Sequence, residues 1–339
     1  MMKKIAIVGA TGAVGEEILN VLNELDFPVE SILPLASAKS AGLDVEFRGK
    51  TYKVKELTEN VFKENPVDIA FFSAGGSISE KYAKFAVEAG AVVIDNTSHF
   101  RMDSNVPLVV PECNPEDIKE WKKTGIIANP NCSTIQMVQV LKPLDDEFGL
   151  KRVDVSTYQA ASGAGKEGME ELVAAMQSFF AFKLDEFKPQ TFPYTLALNL
   201  IPQIDVFTEN GYTKEELKMV NETQKILHKK LEVSATCVRV PVLRSHSEAI
   251  TMHFEKDVDV KKAREILSKA PSVKVIDDPQ NKQYPMPLFT SDTNETYVGR
   301  IRSDINHKNI LHLWCVADQI RVGAATNAVR IAQKWLELN

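Results

Sequence analysis

The sequence predicts an α/β chain in two parts, a parallel-sheet domain followed by an α+β domain with a mixed sheet. Three observations predict it. The first third alternates short apolar runs with helical patterns, the order that gives parallel strands joined by right-handed crossovers. After residue 132 the strand-like runs lengthen and alternate more, as in mixed or antiparallel sheets. The 339 residues, at about 150 per domain, suggest two domains. The expected boundaries are 1–132 with a C-terminal helix from 318–339, and 133–317.

In chain order, KKIAIVG is an apolar strand closing on glycine. Val14, Ile18, Val21, Leu22 and Leu25 then share one face of a helix. VESILPLAS and VDIAFFSAGG are the second and third strands, 78–88 is a helix, and AVVIDN and GIIAN are two more strands. STIQMVQVL after Cys132 has helical spacing. VDVSTYQAASG, TCVRVPV, EAITMHFE and HLWCVAD follow as strands separated by helices. The proline-rich segment 189–202 is an extended surface stretch or a dimer arm, and the sequence does not choose between them. GAATNAVRIAQKWLEL is a final helix whose small residues suit close packing on the first domain.

Composition narrows the function. Apolar residues at 44% and charged residues at 25% are those of an ordinary globular protein. A formal charge of -6 without a Lys/Arg block argues against nucleic acid or an anionic membrane as partner. The start, MMKKIAIVGATG, falls short of the roughly 7–15 apolar residues of a secretion signal. No apolar run approaches the ~20 of a membrane helix. The expectation is a cytoplasmic protein. Cys113, Cys132, Cys237 and Cys315 are scattered without a CxxC pair, so neither disulfides nor a metal site is expected.

GATGAVG places Gly9, Gly12 and Gly15 between a strand and a helix. That context turns a weak spacing into a phosphate cradle: glycines allow the tight turn, and the helix N-terminus attracts a pyrophosphate. The first part therefore reads as a Rossmann-like dinucleotide-binding domain. The second strand ends in LASAKSAG, with Ser37, Lys39 and Ser40 and no acid until Asp44. A cation and hydroxyls suit a 2'-phosphate, which favours NADP over NAD.

Cys132 opens a helix, where the dipole and the free N–H groups favour a thiolate and can hold an oxyanion. By position alone a small buried cysteine fits as well. A nucleophilic cysteine needs a proton acceptor. Of six histidines, His228 lies on a helix of exposed pattern, and His253 and His312 lie in strand patterns. His246, in VRVPVLRSHSEAI, stands among two arginines, serines and a glutamate. Arg239 and His246 are seven apart and would face opposite ways on an unbroken strand. Pro241 makes an interruption plausible. An arginine beside a candidate base suggests a carboxylate or phosphate ligand. Arg101 follows an apolar strand in NTSHFRM, Gln159 precedes the small loop Ser162-Gly163, and Glu222 and Lys225 share a helix face. For that last pair a solvated salt bridge explains the spacing equally well.

These residues resemble the aspartate-β-semialdehyde dehydrogenase family along essentially the whole chain, through GATGAVG, ASAKSAG, NTSHFRM, NPNCST, YQAASGAG, NETQKI, VRVPVLRSHSE and DQIRVGAATNA. The resemblance implies reductive dephosphorylation of 4-phospho-L-aspartate to L-aspartate 4-semialdehyde. Cys132 would carry an acyl-thioester, His246 would be the acid/base and Gln159 would orient the intermediate. Arg239 would hold the substrate carboxylate, Glu222 its ammonium, and Arg101 and Lys225 the phosphate, with Asn131 among the substrate contacts. Gly9, Thr11, Gly12, Ala13, Val14, Ser37, Lys39, Ser40, Ser162, Gly163 and Gln319 would contact NADP. The second domain would be catalytic and dimerising, in a homodimer or homotetramer. Lys39 stands where many relatives have arginine. Rival readings are an N-acetyl-γ-glutamyl-phosphate reductase, against which Glu222 speaks, a glyceraldehyde-3-phosphate dehydrogenase, a cysteine hydrolase, and a non-catalytic NADP-binding paralogue.

Overall fold

The structure, a computed structural model, describes residues 2–338. Met1 and Asn339, at the ends of the expected N-terminal part, lie outside the described residues. The chain forms two compact units, 2–131 with 324–338, and 132–323.

The first unit is built on β1 (Lys3–Val8), whose Ile5, Ala6, Ile7 and Val8 are all fully buried. A strand buried on both faces belongs in the middle of a covered parallel sheet. α1 (Ala13–Glu24) turns Ile18, Val21 and Leu22 into the core, and β2 (Val29–Ala36) follows. Next come a hairpin of β3 (Asp44–Phe47) and β4 (Lys50–Lys53), then β5 (Lys55–Glu56), α2 (Val61–Glu64) and β6 (Ile69–Phe72). α3 (Gly76–Glu88), β7 (Val92–Asp95) and β8 (Ile126–Ala128) complete the unit's run. The sheet order is β5-β2-β1-β6-β7-β8, with every pair parallel. The winding reverses between β1 and β6, the switch point at which such sheets bind ligands.

The β3–β4 hairpin had no counterpart in the sequence reading. Its strands, DVEF and KTYK, are short and mostly polar, so hydrophobic period gives no signal. The turn does: Arg48 (φ 49°) and Gly49 (φ 72°) supply the two positive φ angles of a type I′ turn.

The second unit opens on α4 (Cys132–Phe148), which runs through Pro143 and so continues past the predicted pattern. After it come β9 (Leu150–Gln159), α5 (Gly165–Phe180), α6 (Lys214–Ile226), β10 (Glu232–Arg239) and β11 (His246–Phe254). The unit ends with α7 (Val260–Lys269), β12 (Val273–Val275), α8 (Pro287–Thr290), β13 (Thr296–Ser303) and β14 (Ile310–Ala317). The order β10-β9-β11-β14-β13-β12 contains parallel pairs at both edges and antiparallel pairs between them. It is the expected mixed sheet. One face packs on α4 through Met137, Val140, Leu141 and Leu144 against Val153, Ile250, Met252 and Leu313. The 189–202 segment is irregular, anchored where Phe192, Leu196 and Ile201 meet Leu172 and Ala175 of α5. A π-helical turn, Arg321–Ala325, precedes α9 (Thr326–Leu338), whose Val329, Ile331 and Ala332 return to the first unit's core. No helix among the described residues is long and apolar enough to cross a membrane.

Gly15 fixes how closely α1 approaches the strand before it. A Cβ there would lie 2.2 Å from the Gly9 carbonyl oxygen, a backbone atom with nowhere to move. Gly15→Ala should therefore destabilise the protein by roughly 2–3 kcal/mol through overpacking, read as a fall in the thermal midpoint. An unaltered midpoint would contradict this close approach.

Candidate active site

In the first unit, the turn after β1 has the shape its glycines allow. Gly9 sits at φ +90°, and a Cβ there would press on Ser73 at 3.1 Å. Gly12 is the N-cap of α1 and, as glycine, brings no side chain to cap the helix. Ala13 and Val14, beside Thr11, open the helix, where the dipole favours an anion. A helix N-terminus approached by glycines with no room for a Cβ fits a dinucleotide pyrophosphate. Ser37 and Lys39 are exposed in the short turn that follows β2, with Ser40 half-buried behind them. Arg101 is buried; its Nε donates to the Asn129 carbonyl at 2.9 Å and its Nη2 to the Asn96 carbonyl at 2.8 Å. It is a cation fixed just beyond the ends of β7 and β8. Asn131, also buried, ends this unit.

In the second unit, Cys132 is the first residue of α4. A Cβ on Gly323 would fall 2.5 Å from the Cys132 Cβ, so only glycine leaves the cysteine its place. The other three cysteines are buried. Burial pushes the Cys237 and Cys315 thiols up, away from reactivity.

β10 ends at Arg239 and β11 begins at His246, so the strand is interrupted where Pro241 suggested. The break lets both side chains meet one loop: a Cβ on Gly163 would lie 2.6 Å from Arg239 Nη1 and 3.2–3.3 Å from the His246 ring. His246 is fully buried, and its Nδ1 accepts from the Ala160 N–H at 3.0 Å. The neutral ring therefore carries its proton on Nε2, which has no hydrogen-bond partner among the described residues. Burial, with the Arg239 guanidinium beside it, holds the ring well below the usual histidine range. Taking a proton at Nε2 would require the other tautomer and would cost the Ala160 bond. As it stands, the ring offers a donor.

Gln159, at the end of β9, donates through Nε2 to Ser133 Oγ at 2.7 Å and to Glu215 Oε1 at 3.2 Å. Arg239 donates to the Ala160 carbonyl at 2.6 Å. Burial lowers its pKa, while Glu215 and Cys132 act the other way. Ser162 and Gln319, both expected at the cofactor, hydrogen-bond to one another, and Gln319 Oε1 accepts from the Ser245 N–H at 2.9 Å. That bond steadies Ser245, at a strained φ of 73°, directly before His246.

One expectation is displaced. The carboxylate that meets Gln159 and Arg239 is Glu215, with Lys218 beside it at 3.1 Å. Glu222 and Lys225 belong two turns further along α6, about 10 Å up the axis. Both i,i+3 pairs lie on one helix with similar spacing, so sequence pattern could not separate them. The capping box, Thr213 with Glu216, fixes where the helix starts but not which pair meets Gln159. Burial disfavours the Lys218 charge, yet Glu215 and Asp205 together hold its pKa above the ordinary value.

Two family models match the chain: "Semialdehyde dehydrogenase, NAD binding domain" over residues 4–121 and "Semialdehyde dehydrogenase, dimerisation domain" over 141–322. The aspartate-semialdehyde dehydrogenase of Campylobacter jejuni is 89% identical over 99% of this chain and 98% of its own. A Vibrio cholerae aspartate semialdehyde dehydrogenase II, solved with ASA, superposes with TM-score 0.96 at 46% identity, each chain 99% covered. A Candida albicans aspartate semialdehyde dehydrogenase, solved with NADP, gives 0.76 at 25% identity, again 99% of each.

The buried neutral histidine leaves a mark on stability. With its folded-state pKa below the unfolded value of about 6.5, the unfolded chain binds more protons as pH falls through that value, so stability is lost there. Wild type should therefore lose more stability than His246→Asn between about pH 7 and pH 5, measured by chemical denaturation at both. Equal losses would show that His246 is not held neutral by folding.

Proposed function

The chain belongs to the aspartate-semialdehyde dehydrogenase family, and from that premise we propose that it reduces 4-phospho-L-aspartate to L-aspartate 4-semialdehyde through an acyl-thioester on Cys132. The observation that carries this reading is the convergence of Gln159, Arg239, Glu215 and the His246 Nε2–H in the unit that begins with Cys132. The Cys132 thiolate attacks the acyl carbon; the C–S bond forms, the bond from that carbon to the bridging oxygen breaks, and phosphate departs with the electron pair and takes a proton from solvent. Bound NADPH supplies the hydride to the same carbon. The oxyanion then collapses, the C–S bond breaks, and the thiolate returns. In both tetrahedral states charge gathers on the acyl oxygen, and a neutral Nε2–H donor in a water-poor site stabilises it there. Gln159 orients the intermediate. The buried guanidinium of Arg239 suits the α-carboxylate, and the Glu215 carboxylate suits the α-ammonium, in place of Glu222. Lys218, in place of Lys225, and Arg101 suit the phosphate.

NADP is favoured over NAD by the exposed Ser37 and Lys39 after β2, with no carboxylate before Asp44. The match to a dimerisation domain supports a homodimer, or a tetramer built from one, and the cytoplasm is the compartment in which we propose that it acts.

Nicotinamide absorbance, followed with aspartate semialdehyde, phosphate and NADP or NAD, tests the reading. Wild type should show phosphate-dependent reduction of NADP, and Cys132→Ala should lose about a thousandfold or more. Glu215→Gln should raise KM for aspartate semialdehyde about tenfold, the loss of a charge-assisted contact, while Glu222→Gln leaves it unaltered. A phosphate-independent or absent signal from wild type would overturn the reaction. The opposite ranking of the two glutamates would overturn the reassignment.

A further inference from the structure

Along β11, the side chains of His246, Glu248, Ile250, Met252 and Phe254 alternate onto one buried face. The last three join the hydrophobic core. Glu248 occupies the slot between that core and His246, fully buried, and neither of its carboxyl oxygens has a hydrogen-bond partner among the described residues. An apolar side chain would be cheaper there, because a buried polar group without partners is destabilising.

Its polar neighbour comes from α4. Gln136 is one turn beyond Cys132, on the same face of the helix, and is itself buried. Its Nε2 reaches the His246 carbonyl at 3.4 Å and Cys315 Sγ of β14 at 3.9 Å. Its Oε1, like the Glu248 oxygens, lacks a donor among the described residues. One amide thus touches the backbone of the residue that bears the ring, from the helix that bears the thiol.

We propose that Glu248 and Gln136 are positioning residues, a buried carboxyl–carboxamide pair that ties the first turn of α4 to the start of β11 and so sets the spacing of Cys132 and His246. Burial drives the Glu248 carboxyl well above the usual carboxylate range, with the Gln136 amide opposing it only in part. The protonated acid has an O–H to give, and Gln136 Oε1 is the acceptor at hand. A single proton then satisfies two groups that would otherwise be stranded. Because the neutral acid is the working form, glutamine can stand in for it and leucine cannot.

The inference rests on Cys132 and His246 carrying the reaction, so wild type is assayed alongside the variants. Glu248→Leu should lower kcat by about 30- to 100-fold, the effect of a misplacement near 1 Å, with KM within about threefold and a thermal midpoint that holds or rises. Glu248→Gln should restore kcat to within about threefold of wild type. If Glu248→Leu yields no folded protein, Gln136→Met carries the test, with the same fall in kcat at an unaltered KM. Wild-type kcat in the leucine variant, a glutamine variant as slow as leucine, or activity that falls only in step with the thermal midpoint would each overturn the proposal. A wild type without phosphate-dependent turnover would instead overturn the proposed reaction.

Discussion

The 3.0 Å hydrogen bond from the Ala160 N–H to His246 Nδ1 is the constraint on which the candidate site of the second unit depends. It fixes the tautomer, and with it the kind of help the ring can give: a donor at Nε2. It also joins two strands at their ends, since Ala160 follows β9 and His246 starts β11. The neighbouring contacts reinforce it. Arg239 Nη1 donates to the carbonyl of the same Ala160, and Gly163 closes on both side chains with no room for a Cβ. A cation, an imidazole and a glycine loop are thereby held by one residue's backbone. Such a site is set by strand ends rather than by mobile loops, which favours a geometry held in advance of substrate.

Charge works with this geometry. The site gathers a buried guanidinium, the Lys218 ammonium and the Glu215 carboxylate, the complement of a substrate carrying two anionic groups and one ammonium. The surrounding burial strengthens each of these interactions. Burial likewise pushes the Cys237 and Cys315 thiols up, since thiolates in apolar surroundings are disfavoured.

Much of this was legible in the sequence, where pattern and chemistry coincide. The β1–α1 turn was readable because Gly9, Gly12 and Gly15 occur in a strand-to-helix context, and the break at Pro241 because proline interrupts a strand. The identities of Cys132, His246, Gln159 and Arg239 as site candidates followed from residue type and neighbours. What was not legible has physical reasons. The hairpin at 44–53 is polar and carries its signal only in two backbone angles. Glu222 comes from the NETQKI resemblance, and the second acid–base pair seven residues earlier on the same helix shows its place only through a tertiary partner, Gln159. Glu248 reads in sequence as one more polar residue after a histidine; its burial is a tertiary fact.

The central claim is that Cys132 is the covalent carrier. The most direct measurement is mass spectrometry of the Cys132 peptide after the enzyme meets NADP and aspartate semialdehyde without phosphate, followed by an acid quench. The account predicts an aspartyl acyl group on Cys132 that disappears when phosphate is added before the quench. An unmodified Cys132 peptide during demonstrated NADP reduction, or an acyl group on another residue, would contradict it.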